Sequence, residues 1–235
     1  PGRIDLGLGR APGTDQTTVR ALRRTPEAAD TFPRDVQELQ GFLGDSVIPG
    51  VAATPGAGTR VPIWLLGSSL FSARLAAARG LPYAFASHFA PRLLLQAIDL
   101  YRREFQASDT LAKPYVIIGV PLIAAPTDAE ADFLASSTFQ RVLGILRGDR
   151  RRLQAPQPDF MARLSADERA AIADFLGAAV IGGPDTVRDG LARLISATGA
   201  DELMLVCDIF DPALRLRSLD LAVSARDALG RGASA

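Results

Sequence analysis

The chain has 235 residues, of which 48% are hydrophobic and 22% are charged, and its 26 basic residues are matched by 26 acidic ones. A chain without net charge gives no indication of a nucleic-acid-binding surface, and no apolar run approaches the roughly 18 residues of a membrane span. The single cysteine, Cys207, excludes an intramolecular disulfide and is typical of a cytoplasmic protein. The length suits one domain over residues 1–235.

Short apolar runs alternate with helical patterns along the chain, which predicts a parallel α/β architecture. The five predicted strands cover residues 4–9, 63–66, 83–86, 116–125 and 202–208. The predicted helices cover residues 33–44, 70–80, 91–105, 127–148, 165–177, 184–198 and 213–229. Because Gly119 and Pro121 interrupt the fourth strand, we expect its second half to be bulged or at a sheet edge. Residues 180–183 form only a brief extended piece.

The stretch at residues 61–89 organises the fold, because it reads as one strand–helix–strand unit. Its first strand ends in Gly67, Ser68 and Ser69, and its second strand is followed by His88. Small and polar residues therefore gather at the carboxyl ends of parallel strands, where α/β proteins bind their ligands. We expect that end of the sheet to carry the functional site.

Arg10 directly follows the first predicted strand and is a candidate phosphate ligand. A guanidinium group matches the geometry of phosphate oxygens, and the loop that begins with Ala11 and Pro12 can add backbone N–H donors. The alternative is a solvated arginine, or one that is paired with Asp15.

The turn after the second predicted strand is a second candidate phosphate ligand. A helix N-terminus offers unpaired N–H groups, the hydroxyls of Ser68, Ser69 and Ser72 can add donors, and Gly67 lets the backbone approach a ligand closely. The alternative is that Ser69 simply caps the helix, which accounts for one serine of the three.

His88 is the single histidine of the chain and lies at the same predicted end of the sheet. A histidine there can hydrogen-bond a ligand carbonyl, contact a substrate or transfer protons. The alternative is a capping or packing histidine beside Pro91. Two other features have simpler interpretations: Cys207 as a buried, unreactive thiol, and the basic run at residues 147–152 as a solvated loop rather than a site for an anionic partner.

Three segments carry a family resemblance: RIDLGLGRAPGTDQ at residues 3–16, VPIWLLGSSLFSARLAAARGLPYAFASHF at residues 61–89 and IGGPDTVRDGLARLISATGADELMLV at residues 181–206. Their order and spacing resemble the latter part of the bacterial luciferase-like, flavin-dependent monooxygenase family. The resemblance implies a partial (β/α)₈ TIM barrel that holds the last five of eight strands. We therefore expect the chain to be a fragment that lacks the first three barrel strands.

The resemblance also implies roles for individual residues. Arg10, Ser69 and Ser72 would bind the phosphate of a flavin, and His88 would be the catalytic candidate. The expected cofactor is FMN, and the deazaflavin F420 is the alternative left open. The expected cofactor-binding residues are Arg10, Ala11, Pro12, Gly67, Ser68, Ser69 and Ser72.

The activity that the resemblance implies is that of an oxidoreductase, a monooxygenase in which reduced flavin and O₂ oxidise a small organic substrate. A separate flavin reductase would supply the reduced flavin, because the sequence has no NAD(P) fingerprint. The resemblance is compatible with a homodimer. The alternative function is a non-catalytic or vestigial barrel fragment that binds flavin without turnover.

Overall fold

A computed structural model of the chain describes residues 2–10, 16–23, 28–45, 51–149 and 151–232. The chain groups into two compact units, one formed by residues 1–85 and 96–116 and the other by residues 86–95 and 117–235. Parallel strands alternate with helices in both units, which confirms the predicted α/β class. The single domain over residues 1–235 stays a prediction.

The first unit contains a parallel sheet. Its elements are β1 (Leu6–Gly9), α1 (Gln16–Ala21), α2 (Ala28–Leu43), β2 (Ile63–Gly67), α3 (Leu70–Arg79), β3 (Tyr83–Phe85) and most of α4 (Leu94–Glu104). β2 pairs with β1, with Gly9 opposite Leu66, and it pairs with β3, with Leu65 opposite Tyr83. β2 is therefore the strand on which this unit is built.

α3 packs closely on β2 because the buried face of the helix consists of small residues. Ala73, Ala76 and Ala77 are fully buried on α3, and Leu65 is buried on β2. Gly80 ends the helix with a φ of 56°, a left-handed backbone conformation that glycine adopts without strain. The predicted end of this helix at Gly80 is confirmed.

The predicted start of α2 is wrong. We expected Pro33 to open the helix, because a proline in an inner turn removes one backbone hydrogen bond. The structure shows a helix over Ala28–Leu43 with Pro33 inside it. The loss of one N–H donor is evidently tolerated in this amphipathic helix, which buries Val36.

The second unit contains the longer helices and a second group of parallel strands. Its elements are β4 (Val116–Ala124), α5 (Asp128–Leu146), α6 (Ala166–Phe175), β5 (Val180–Gly182), α7 (Pro184–Thr198), β6 (Glu202–Val206) and α8 (Pro212–Gly232). None of the described helices is long and apolar enough to cross a membrane.

β4 has two parallel partners along its length. Residues 117–121 pair with β6, and this pairing ends with Pro121 opposite Val206. Residues 122–124 then pair with β5. Pro121, which lacks an N–H group, therefore lies where β4 changes partner, and the strand runs through it without interruption. The brief extended piece at residues 180–183 contains β5. The described residues therefore form six strands, whereas the sequence predicts five.

Side-chain caps fix the starts of α5 and α6. The hydroxyl of Thr127 accepts a hydrogen bond from the N–H of Glu130 at 3.2 Å. Ser165 and Glu168 form a reciprocal capping box, in which each side chain accepts a hydrogen bond from the other residue's backbone N–H.

Candidate functional site

Arg10 and the Gly67 turn lie side by side at the carboxyl ends of β1 and β2. Gly9 is paired with Leu66 in the parallel register, so the residues that follow them leave the sheet at the same level. The Cζ atom of Arg10 lies 3.9 Å from the centroid of the Phe71 ring. Because Phe71 belongs to the first turn of α3, this cation–π contact holds the guanidinium group beside the N-terminus of that helix.

Ser69 occupies the N-cap position of α3 without capping it through its side chain. Its backbone is extended, with φ −129° and ψ 159°, and its hydroxyl makes no capping hydrogen bond. The N–H groups of the first turn of α3 therefore lack a side-chain acceptor from the N-cap residue. A helix end of this kind carries partial positive charge and presents donors to an anion.

Ser72 has a different environment from the one that we expected. Its side chain is buried, and its hydroxyl donates a hydrogen bond to the carbonyl oxygen of Ser69 at 2.8 Å. The same hydroxyl lies 3.3 Å from the hydroxyl of Tyr83, which also donates to the Ser69 carbonyl at 3.4 Å. Because the hydroxyl hydrogen of Ser72 is donated to the Ser69 carbonyl, Ser72 stabilises the turn from its buried side.

Gly67 is required by this arrangement, because a Cβ atom at its position would overlap the Ser72 hydroxyl. Ser68 lies between Gly67 and Ser69 and is half-buried. Burial raises the pKa of Tyr83 to about 12, and the hydrogen bond with Ser72 offsets only part of that shift. The Tyr83 phenol therefore stays neutral at physiological pH and remains a hydrogen-bond donor.

Two of the expected cofactor-binding residues, Ala11 and Pro12, lie outside the described residues. Of the others, the structure brings Arg10, Gly67 and Ser69 to the first turn of α3. Sequence reasoning missed Tyr83 as a partner of this turn. Its position in a buried strand was visible in the sequence, but nothing in the pattern indicated that its hydroxyl reaches Ser69.

His88 lies in the second unit, against the middle of β4. A Cβ atom at Gly119 would overlap the imidazole, so the glycine allows the ring to approach the strand this closely. The buried hydroxyl of Ser87 donates a hydrogen bond to the Gly119 carbonyl at 2.7 Å and fixes the backbone beside His88. The His88 ring also makes an edge-on contact with Phe89, with 4.8 Å between ring centroids.

The environment of His88 keeps its imidazole neutral. Burial lowers the pKa of His88 from its ordinary value of 6.5, the positive charge of Arg141 lowers it further, and Asp208 opposes the shift. The Nδ1 atom of His88 is buried and has no hydrogen-bond partner within the described residues. A buried polar atom without a partner costs free energy unless water or a ligand pairs with it.

Arg141 and Asp208 form an ion pair near His88 that sequence reasoning did not find. The Nη2 atom of Arg141 lies 2.6 Å from Oδ2 of Asp208, and both side chains are 29% exposed. Asp208 ends the predicted strand 202–208, so its place at a carboxyl end was a usable signal. Arg141 lies in the interior of α5, where its sequence context gave none.

Cys207 precedes Asp208 and is half-buried. Burial raises the pKa of its thiol, which supports the interpretation of an unreactive cysteine. No group of histidine, cysteine and acidic side chains in the described ranges is suited to hold a metal ion.

The profile of the luciferase-like monooxygenase family matches residues 1–202. Over 231 residues the chain is 45% identical to a luciferase-like monooxygenase of Escherichia coli (strain K12), a match that covers 97% of this chain and 69% of that protein. It is 47% identical over 223 residues to the uncharacterized protein YvbT of Bacillus subtilis (strain 168), covering 94% of this chain and 66% of YvbT. The chain belongs to the luciferase-like monooxygenase family, which confirms the resemblance inferred from its three segments.

Solved structures give the same result for the fold. The crystal structure of apo-MsnO8 is 34% identical to this chain, with a TM-score of 0.80 over 97% of this chain and 69% of MsnO8. Two more distant structures share the fold at TM-scores of 0.61 and 0.64 and identities of 18% and 13%. The first is the oxygenating constituent of 3,6-diketocamphane monooxygenase from Pseudomonas putida in complex with FMN, and the match covers 94% of this chain and 69% of that one. The second is an F420-dependent secondary alcohol dehydrogenase, and the match covers 96% of this chain and 70% of that one. The chain spans about two thirds of the length of the relatives that it matches.

Proposed function

We propose that Arg10 and the N-terminus of α3 bind the phosphate group of a flavin. The observation that carries this proposal is the position of the Arg10 guanidinium over Phe71, beside a helix end whose N-cap hydroxyl is not engaged in capping. A guanidinium group that lies on an aromatic ring uses its face in that contact, so its N–H edges remain available for a phosphate. Charge-assisted hydrogen bonds of this kind are among the stronger ones in proteins.

The residues of the turn fit this role in two ways. Ser69 would donate directly from its hydroxyl, and Gly67 and Ser68 would contribute the exposed backbone of the turn. Ser72 and Tyr83 would act as positioning residues, because both hydroxyls contact the Ser69 carbonyl and hold the turn in place. The loop at Ala11 and Pro12 keeps its predicted contribution to the same cofactor.

FMN is the flavin that this donor set favours, because one guanidinium group and one helix N-terminus match a single terminal phosphate. An F420 cofactor is the alternative, and neighbours in this fold include an FMN complex and F420-dependent enzymes. When bound in its reduced form, FMN would supply the reaction with O₂ and the oxidation of a small organic substrate. The protein's own part is to bind the phosphate, orient the ring system and exclude water.

We propose that this activity is that of a flavin-dependent monooxygenase whose sheet is part of a (β/α)₈ barrel. The solved relatives in this fold support that architecture. A separate reductase would provide reduced flavin, the protein would act in the cytoplasm, and a homodimer is compatible with the family resemblance.

His88 is the proposed catalytic candidate. Its ring is fixed against β4 and is neutral near pH 7, so it can accept a hydrogen bond or a proton from a reacting group.

The test of the phosphate site is a comparison of two ligands that differ in the phosphate alone. FMN and riboflavin are titrated into the full chain, and quenching of flavin fluorescence reports binding. We expect FMN to bind at least ten times more tightly than riboflavin, since a charge-assisted hydrogen bond contributes about 1.5–3 kcal/mol. Equal affinities would show that the chain has no site for the phosphate.

A further inference from the structure

A polar cavity lies in the second unit, at the C-terminal end of α5. Its volume is about 250 Å³. Four arginine side chains line it, together with the carboxylate of Asp149, the polar side chains of Gln140 and Gln154 and the ring of Phe160. The arginines are Arg141, Arg147, Arg151 and Arg152. None of the described residues of the proposed flavin phosphate site lines this cavity.

The backbone builds this cavity by folding back on the end of α5. Gly148 has a φ of 72°, a left-handed conformation that suits glycine and reverses the chain. The N–H of Asp149 then donates to the Gly144 carbonyl at 2.8 Å. A Cβ atom at Gly144 would lie 2.6 Å from the Asp149 carbonyl oxygen, so this close return depends on a glycine there.

The segment after the turn is fastened along α5 by side-chain hydrogen bonds. Gln140 donates to the carbonyl of Ala155 at 3.0 Å and accepts from Gln157 at 2.9 Å. The N–H of Gln157 also donates to the hydroxyl of Ser136 at 2.7 Å. Arg151 and Arg152, which precede this fastened segment, line the same cavity as Arg141.

The positive charge in the cavity is only partly balanced. Arg141 pairs with Asp208, Arg147 with Glu168 and Arg151 with Asp149. Arg152 makes no ion pair among the described residues. In the same part of the chain, the Nε atom of Arg141 is buried without a hydrogen-bond partner.

The helix end does not account for this charge. Arginines near a helix C-terminus can pair with its last carbonyl groups. Here the carbonyls of Leu143, Gly144 and Ile145 already accept backbone hydrogen bonds from the turn. Arg152 and the Nε atom of Arg141 are therefore available to a ligand.

We propose that this cavity binds a compact polyanion that carries phosphate or carboxylate groups. Guanidinium forks bind both groups with paired hydrogen bonds, and several of them together suit an anion with more than one charged group. A volume of about 250 Å³ accommodates an anion of the size of pyrophosphate or citrate with some water, given that a water molecule takes about 30 Å³ of the liquid. Arg147, Arg151 and Arg152 of the basic run are thus part of the proposed site.

The experiment titrates pyrophosphate and citrate separately into the full chain at low ionic strength by isothermal calorimetry. The titrations are repeated in the Arg10→Ala background, which removes the proposed flavin phosphate site. We expect one-to-one binding that persists in that background. Tighter binding of pyrophosphate would show that the cavity favours phosphate groups, and tighter binding of citrate would show that it favours carboxylate groups. Loss of all binding in Arg10→Ala would assign the anion to the flavin site and overturn the proposal.

Substitutions locate the binding. The double variant Arg151→Gln/Arg152→Gln should lower the affinity at least tenfold, because two charge-assisted contacts are removed. Arg226→Gln is the matched control: Arg226 is 72% exposed and pairs with Asp227 at 2.7 Å, as Arg151 is 73% exposed and pairs with Asp149 at 2.7 Å. Unchanged affinity in the double variant, or an equal loss in the control, would overturn the proposal, as would the absence of binding to wild type.

Discussion

The hydroxyl of Ser72 donates a hydrogen bond to the carbonyl oxygen of Ser69 at 2.8 Å, across the first turn of α3. This bond ties the residue that would contact a phosphate to a residue buried beneath it. Tyr83 reaches the same carbonyl from β3, at 3.4 Å. The proposed phosphate site therefore has an outer part, Arg10 and the Ser69 turn, and an inner part that holds the turn in place.

The outer part is tested by Arg10→Ala. The variant should weaken FMN binding about ten- to a hundred-fold, because a charge-assisted hydrogen bond contributes about 1.5–3 kcal/mol, and should leave riboflavin binding nearly unchanged. Fluorescence titration with both ligands measures the two affinities. Arg74→Ala is the control, since Arg74 lies on the same helix as Phe71 but is exposed and 3.7 Å from Glu104. An equal loss for FMN and riboflavin in Arg10→Ala would contradict contact with the phosphate.

The inner part is tested by comparing two buried tyrosines. Tyr83→Phe removes the hydroxyl that contacts Ser69 and Ser72. Tyr101→Phe removes one that donates to the Leu81 carbonyl at 2.9 Å and accepts from the Tyr115 N–H at 3.2 Å. Each change should lower the free energy of unfolding by about 1 kcal/mol, the net value of a typical hydrogen bond. Urea denaturation measures this loss.

The two tyrosine variants should differ in their effect on binding. Tyr83→Phe should reduce the ratio of FMN affinity to riboflavin affinity several-fold, because the Ser69 turn loses part of its support. Tyr101→Phe should keep the wild-type ratio. If both variants change the ratio equally, general destabilisation explains the effect and Tyr83 is not a positioning residue.

Much of the first unit could be predicted from local sequence signals. The apolar run before Gly67 and the stop at Gly80 placed β2 and α3 correctly. The burial of Ser72 was also accessible, because Ser72 lies one helical turn before Ala76 and shares its face. The role of Tyr83 was not accessible, since it depends on how β3 packs beneath the turn.

The second unit was predicted less completely because its important relationships are long-range. β5 has three residues, too few to show a strand period, and it exists as a strand because it pairs with the end of β4. The pairing of Arg141 with Asp208 joins a helix to the end of a strand, and no local pattern specifies it. Gly119 was read as an interruption of β4, whereas in the structure it makes room for His88.

The His88 environment gives a prediction about pH. Because His88 is the chain's single histidine, its imidazole signal can be followed by proton NMR without assignment. We expect the pKa of His88 in the folded chain to lie below 6.5, since burial and Arg141 both disfavour the charged form. Arg141→Gln should raise the pKa of His88, and Asp208→Asn should lower it, because each removes one of the two opposing charges. Arg226→Gln is the control. Arg226 lies in α8, far along the chain from His88, and its replacement should leave the pKa of His88 unchanged.

The same shift has a consequence for stability whose sign can be checked. A histidine with a lowered pKa binds fewer protons in the folded chain than in the unfolded chain at pH values below about 6.5. Its contribution to the free energy of unfolding is therefore fully present above pH 6.5 and is lost as the pH falls through the folded-state pKa. Urea denaturation across this range should show a smaller decline in His88→Gln than in wild type. An identical pH dependence in the two proteins, or a wild-type pKa above 6.5 by NMR, would contradict the buried, neutral imidazole.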